Sequence, residues 1–161
     1  MRLELGRRAD YAIRACVDLA RHHGDGRRKA RAIAETMDIP TTYVPQILAE
    51  LVRAGLIGST AGRAGGYALA RAPERITLLE VVEALEGNIL ATDCVLRGGP
   101  CRWSDMCAVH VPWARAQHAL LGSLAETTLG ELVEIDAALD AGTYVVPPDV
   151  RRPQSGPATA T

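Results

Sequence analysis

Six residues, Ala61-Gly62-Arg63-Ala64-Gly65-Gly66, constrain the fold of this 161-residue chain more than any others. They separate Leu56-Ile57-Gly58-Ser59-Thr60 from Tyr67-Ala68-Leu69-Ala70, two short strand-like runs, and a glycine-rich tip between such runs makes a hairpin. What comes before the hairpin is helical. From Arg7 to His23, Ala12, Ile13, Cys16, Leu19 and Ala20 recur at spacings of three and four, so this stretch is a helix with one buried face. Gly24-Asp25-Gly26 ends it, and Ala30 to Met37 reads as a second, shorter helix with Ala30, Ile33, Ala34 and Met37 inward. After the turn Asp38-Ile39-Pro40, Thr41 or Thr42 can cap a third helix with Val44, Ile47, Leu48 and Leu51 inward and Gly55 at its end. Pro45 fits its first turn, where backbone N–H groups have no intrahelical partner. Three short helices followed by a hairpin make a winged helix-turn-helix over residues 1–75.

The rest of the chain continues the helical pattern. Thr77-Leu78-Leu79-Glu80 is a capping box that opens a helix to about Glu86, with Leu79, Val82 and Leu85 inward. Residues 88–106 show neither helical nor strand period and contain Gly98-Gly99-Pro100, a loop long enough to need an organising ligand. From Cys107 to Glu126 a long helix carries the stripe Val109, Trp113, Ala116, Leu120 and Leu124, which a head of this size cannot cover. A second subunit covers it economically, so the expectation is a homodimer. A shorter helix, Leu129 to Leu139, packs behind. The expected organisation is therefore a mainly α chain with a small β-hairpin wing: DNA-binding head 1–75, loop and dimerisation helices 76–140, and a disordered tail 141–161.

Charge and thiols narrow the function. Residues 1–75 hold 13 Lys/Arg against 8 Asp/Glu and the remainder 5 against 11, so a net charge of −1 conceals a basic half and an acidic half. That asymmetry points to a polyanion partner for the head. In a helix-turn-helix the third helix enters the major groove by its N-terminal end, which puts Thr41, Thr42, Tyr43 and Gln46 toward base edges. Arg63 at the wing tip, beside Gly65, suits a minor groove. Arg7, Arg8, Arg53 and the run Arg27-Arg28-Lys29 are candidate phosphate contacts. No stretch approaches the roughly 20 apolar residues of a membrane span and no secretion signal is present, so the chain is expected in the cytoplasm. No nucleophile–base pair, phosphate loop or carboxylate pair supports an enzyme.

In that reducing compartment Cys94, Cys101 and Cys107, spaced C-x6-C-x5-C with His110 three residues on, read as a metal or redox site. Thiolates so spaced suit zinc or an iron–sulfur cluster, and unligated thiols are the third option. The gaps are wider than the pairs of most zinc fingers, and the intervening glycines suit a larger cluster. Cys16, on the inner face of the first helix, reads as a core residue.

Together these marks resemble the IscR/NsrR-type family of iron–sulfur winged helix-turn-helix transcription regulators, from Met1-Arg2-Leu3 to about Leu139. They are Tyr11-Ala12-Ile13, Tyr43, Gly62 through Tyr67, Thr77-Leu78-Leu79-Glu80-Val81-Val82 and the three cysteines. The resemblance implies a dimer crossed through the long helix, a cluster near the subunit boundary, and DNA affinity set by cluster state. His110 falls where IscR-like members place a histidine ligand, and Asp10 where NsrR-like members place an aspartate from the other subunit. A 2Fe-2S and a 4Fe-4S cluster thus both remain open. Two departures stand out. The first cysteine gap is six residues where IscR-like members have five, and Pro45 replaces a polar base-reading residue, so the operator cannot be transferred. The expected function is a regulator, of the repressor type, on a palindromic promoter operator, sensing iron, nitric oxide or redox state. Two rivals are a cluster-free thiol switch of the same fold and a small iron–sulfur electron-transfer protein.

Overall fold

The structure is a computed structural model that describes residues 5–87 and 107–150. Helix α1 spans Arg7–Arg21, and its inner positions are mostly small: Ala9, Ala12, Ala15 and Cys16 are all sealed from solvent, with Leu19 beside them. Small side chains let neighbouring backbones come close, and α1 is accordingly the hub against which four of the other helices pack. Helix α2 (Ala30–Thr36) and helix α3 (Val44–Arg53) follow, joined by a tight turn. In that turn Asp38 takes a positive φ of 50°, and the Ile39 N–H donates to Ala34 O at 2.9 Å. Val44, Ile47, Leu48 and Leu51 are buried and Pro45 lies in the first turn of α3, as their spacing requires. The capping role expected of Thr41 or Thr42 is not what forms. Residue 43 holds the cap position without any side-chain bond, and its N–H instead donates to Pro40 O at 2.9 Å, a backbone turn that leaves both threonines exposed.

Strands β1 (Ile57–Thr60) and β2 (Gly66–Leu69) pair antiparallel with Ile57 opposite Leu69 and Thr60 opposite Gly66. Arg28 extends this ribbon: its backbone exchanges two hydrogen bonds of 2.8 Å with Tyr67. Gly66 sits where the Arg28 backbone presses closest, with φ at 145°, and a Cβ there would lie 2.5 Å from Arg28 O. No L side chain fits such a position.

Helix α4 (Leu78–Glu86) opens on the expected capping box, with Thr77 Oγ1 accepting from the Glu80 N–H at 3.2 Å and Glu80 Oε2 accepting from the Thr77 N–H at 2.9 Å. Its buried side is Val81, Val82 and Leu85; Leu79 is only half buried, so the inward stripe is shifted from the expected one. Ile76, Val81, Leu85 and Leu129 join the residues of α1–α3 in one apolar core. Helix α5 (His110–Glu126) packs against α4, and α6 (Leu129–Asp140) returns to α1, where Arg21 grips Asp136 and reaches Asp140 at 3.5 Å. Backbone bonds lock the junction: Leu78 N–H to Thr127 O at 2.8 Å and Leu129 N–H to Ile76 O at 2.9 Å. Of the tail expected to be disordered, residues up to Val150 are described. The Thr143 and Tyr144 N–H groups fold back onto Ala138 O, and a 3-10 turn covers Pro148–Val150. The fold is thus mainly helical with a two-stranded wing. No helix among the described residues is long and apolar enough to cross a membrane.

Candidate nucleic-acid interface and thiol segment

The outward face of α3 and the turn before it expose Thr41, Thr42, Tyr43, Pro45, Gln46, Ala49 and Arg53. Side chains four apart share a helix face, so Gln46 lies over Glu50, and its Nε2 donates to Glu50 Oε1 at 3.4 Å. Both oxygens of Glu50 are also gripped by the guanidinium of Arg8 from α1. Arg8, expected as a candidate phosphate contact, therefore first neutralises a carboxylate on α3. Nothing in the sequence signalled this, because the partners are 42 residues apart. Arg7 and Arg53 make no ion pair among the described residues. Tyr43 lies at 5.4 Å between ring centroids from Tyr11, tilted by 48°, which props the start of α3 on α1.

The basic run before α2 turns out to carry the wing. Arg28 donates through Nε and Nη2 to both oxygens of Asp18, at 2.9 and 3.0 Å, and to Thr36 Oγ1 at 2.9 Å. Asp18 is fully buried, so this bidentate pair supplies the counter-charge that a carboxylate out of water requires. The hydrogen bond to Asp18 raises the Arg28 pKa above its ordinary value despite partial desolvation. Lys29 Nζ donates to Gly62 O at 3.1 Å and Arg63 O at 2.9 Å, and Arg27 reaches Gly58 O at 3.3 Å. All three cations thus hold neighbouring structure, two of them the wing backbone, a role their reading as candidate phosphate contacts did not include. Arg63 is left exposed at the tip. Gly65 has a packing reason of its own, since a Cβ there would stand 2.1 Å from Thr60 O.

Cys94 and Cys101 lie outside the described residues. Cys107 is partly exposed just ahead of α5, and the His110 N–H donates to its carbonyl at 3.0 Å, so thiol and imidazole sit on one turn of chain. Asp10 is half exposed, with its carboxylate held by Arg14 at 3.0 Å. Among the described residues no group of three or more His, Cys, Asp or Glu side chains comes together. Burial pushes the Cys16 thiol up to about 12, which keeps it protonated and inert.

A helix-turn-helix with a wing is shared by many regulators, so the decision rests on the whole chain. The family described as Rrf2, an iron-dependent transcriptional regulator, matches residues 5–135. The chain belongs to the Rrf2 family. The Rrf2 chain is 33% identical over 138 residues to the HTH-type transcriptional regulator IscR of Cronobacter sakazakii, covering 86% of this chain and 85% of that one. Its fold is similar to that of CymR, the global cysteine regulator of B. subtilis, with a TM-score of 0.73, 29% identity, and coverage of 83% and 98%. It is also similar to T. potens IscR, with a TM-score of 0.69, 29% identity, and coverage of 84% and 88%. These Rrf2 relatives are regulators of transcription, and the match to them spans the winged head and the helices that follow it.

Proposed function

We propose that this Rrf2-family regulator acts in the cytoplasm as a homodimeric repressor whose grip on a palindromic operator is set by an iron–sulfur cluster on Cys94, Cys101 and Cys107. The supporting observation is α5. It is apolar along much of its length, none of its residues is buried in the described chain, and it begins at the Cys107–His110 turn. A helix that the described residues leave uncovered is suited to close on a second copy, and the thiol segment adjoins its start in sequence. The donor chemistry fits: three thiolates with an imidazole or carboxylate suit iron–sulfur ligation. His110 is the fourth ligand favoured by its turn with Cys107, whereas Asp10 would have to leave Arg14.

When bound, the cluster supplies iron that responds to iron supply, nitric oxide or redox state. The chain's own residues convert ligation into geometry. Cys107 and His110 fix the start of α5, and α5 leans on α4, whose core residues touch α1 and α3. Two reading helices must enter major grooves about 34 Å apart, so a small tilt of one head loses a half-site. At each half-site Thr41, Thr42, Tyr43 and Gln46 face base edges, Arg63 and Gly65 bring the wing to the minor groove, and Arg7, Arg8 and Arg53 face phosphates.

Protein isolated without air is expected to be coloured and to bind an operator selected from random duplexes more tightly than Cys101→Ala does at matched salt. Equal affinities would defeat the switch. A cluster-free thiol switch is the second reading, favoured by the structural likeness to a cysteine regulator. Colourless anaerobic protein whose DNA affinity follows thiol oxidation would establish it instead.

A further inference from the structure

Between α2 and the N-terminal turn of α3 the surface opens into a cleft of about 220 Å³, lined by Ala30, Arg31, Ala34, Thr41, Val44 and Pro45. Apart from Arg31 and the hydroxyl of Thr41, its walls are aliphatic. Pro45 is exposed, offers the groove no side-chain donor or acceptor, and is followed one turn later on the same face by exposed Ala49. Other nearby polar side chains are already engaged: Gln46 with Glu50, Glu50 with Arg8, and Arg31 with Glu35 at 2.7 Å.

This apolar strip lies at the end of α3 that a helix-turn-helix drives into the major groove. The edges of B-DNA there are a pattern of donors and acceptors with one apolar group, the C5-methyl of thymine. We infer that the Pro45 cleft reads a thymine by its methyl group, once in each half-site. The occupant is settled by chemistry and place: the cleft is continuous with the DNA-binding face, and the methyl is the apolar group available to it. Arg53, exposed two turns beyond Pro45 on α3, is the cation for a flanking phosphate. Specificity here comes from excluding water around a methyl packed against the aliphatic walls of Ala30, Ala34, Val44 and Pro45.

The inference rests on the head binding duplex DNA, and the experiment separates the two. Full-length protein selects duplexes from a random library, and each thymine of the selected half-site is then replaced by deoxyuridine, which removes only the methyl. One position is expected to lose about fourfold in affinity per half-site, or about fifteenfold when both halves are changed. In Pro45→Ser the thymine and deoxyuridine duplexes should bind alike, while Gln46→Ala should keep the difference. Serine is well tolerated in a first helical turn, so circular dichroism should show both variants folded. If no position responds to the methyl, or the response survives in full in Pro45→Ser, the inference is overturned. If no duplex is enriched at all, the DNA-binding reading itself fails and takes this one with it.

Discussion

The head and helix α5 are both apolar, yet they end in opposite states. Around α1 and α3 the side chains of Ala12, Cys16, Leu48 and Leu51 are fully closed off from solvent. Along α5, Val111 remains 38% and Leu120 46% exposed, and the indole N–H of Trp113 finds no acceptor among the described residues although solvent cannot reach it. The core around α1 closes because α1 offers small residues on which α2, α3, α4 and α6 converge. Helix α5 touches α4 along one side and leaves the other open. The difference teaches where packing within the described chain ends: the core around α1 draws on α1–α4 and α6, whereas α5 carries apolar surface that those helices leave uncovered.

The sharpest way to break that contrast is at the head's buried charge. Arg28→Met leaves the Asp18 carboxylate sealed in with no bidentate partner, and the cost expected at neutral pH is about 4 kcal/mol. Urea denaturation measures it. A loss below about 1 kcal/mol would mean that Asp18 is solvated or rescued by His22, whose Nδ1 lies 3.8 Å away, and that the head is not closed as described. Next in size, Leu48→Ala empties a site in the middle of the core and is expected to cost about 3 kcal/mol, with the monomer–dimer dissociation constant unchanged. Leu120→Ala is the counterpart on α5. Within one chain it should cost less than about 1 kcal/mol, because the side chain is already half in water. Its larger effect should be a raised monomer–dimer dissociation constant, read by sedimentation on dilution, as expected where the surface is covered by a second copy. Equal losses of stability for the two leucines, with the dissociation constant unchanged in both, would erase the distinction.

How much of this could be read from the sequence divides along similar lines. Period carried the core: Val44, Ile47, Leu48 and Leu51 are spaced for one face of a helix and are buried together. Local chemistry carried the start of α4, where Thr77 and Glu80 are three residues apart and bond each other. The boundaries of α1, α3 and the hairpin fell within a few residues of expectation because glycines mark them, as at Gly55 with φ at 72°. What the sequence hid depends on distance along the chain. A run such as Arg27-Arg28-Lys29 looks like solvent-facing charge until folding brings Asp18 and the carbonyls of Gly58, Gly62 and Arg63 beside it. Arg8 and Glu50 are invisible to each other until α1 crosses α3. Gly65 was legible as a wing-tip glycine, but its collision with Thr60 O is a fact of three dimensions. Thr41 and Thr42 have the right chemistry for a cap, and a backbone turn from Pro40 takes that place instead. The thiol segment stays an expectation, since Cys94 and Cys101 fall outside the described residues.

The smallest expected effect tests the hinge between the two regions, the foot of α4 on which α5 leans. Desolvation pushes the Glu80 pKa upward, but hydrogen bonds from Thr77 and Arg71, with the charge of Arg71, outweigh it and hold the carboxyl below its ordinary value. A carboxylate whose pKa is depressed by folding adds stability above its unfolded value, about 4.3, and loses it as pH falls through the lower folded value. Glu80 is partly exposed, and solvent screening limits the contribution to less than about 1 kcal/mol. Glu80→Gln keeps a capping-box partner for Thr77 while removing the titration. At neutral pH the native chain should therefore be slightly more stable than Glu80→Gln, and the gap should close as the solution is acidified below about pH 4. A gap that stays constant across that range would show that Glu80 acts through shape alone. A gap that widens on acidification would reverse the sign of its pKa shift, and α4 would then be anchored by its apolar side, Val81, Val82 and Leu85, with its charged foot contributing nothing.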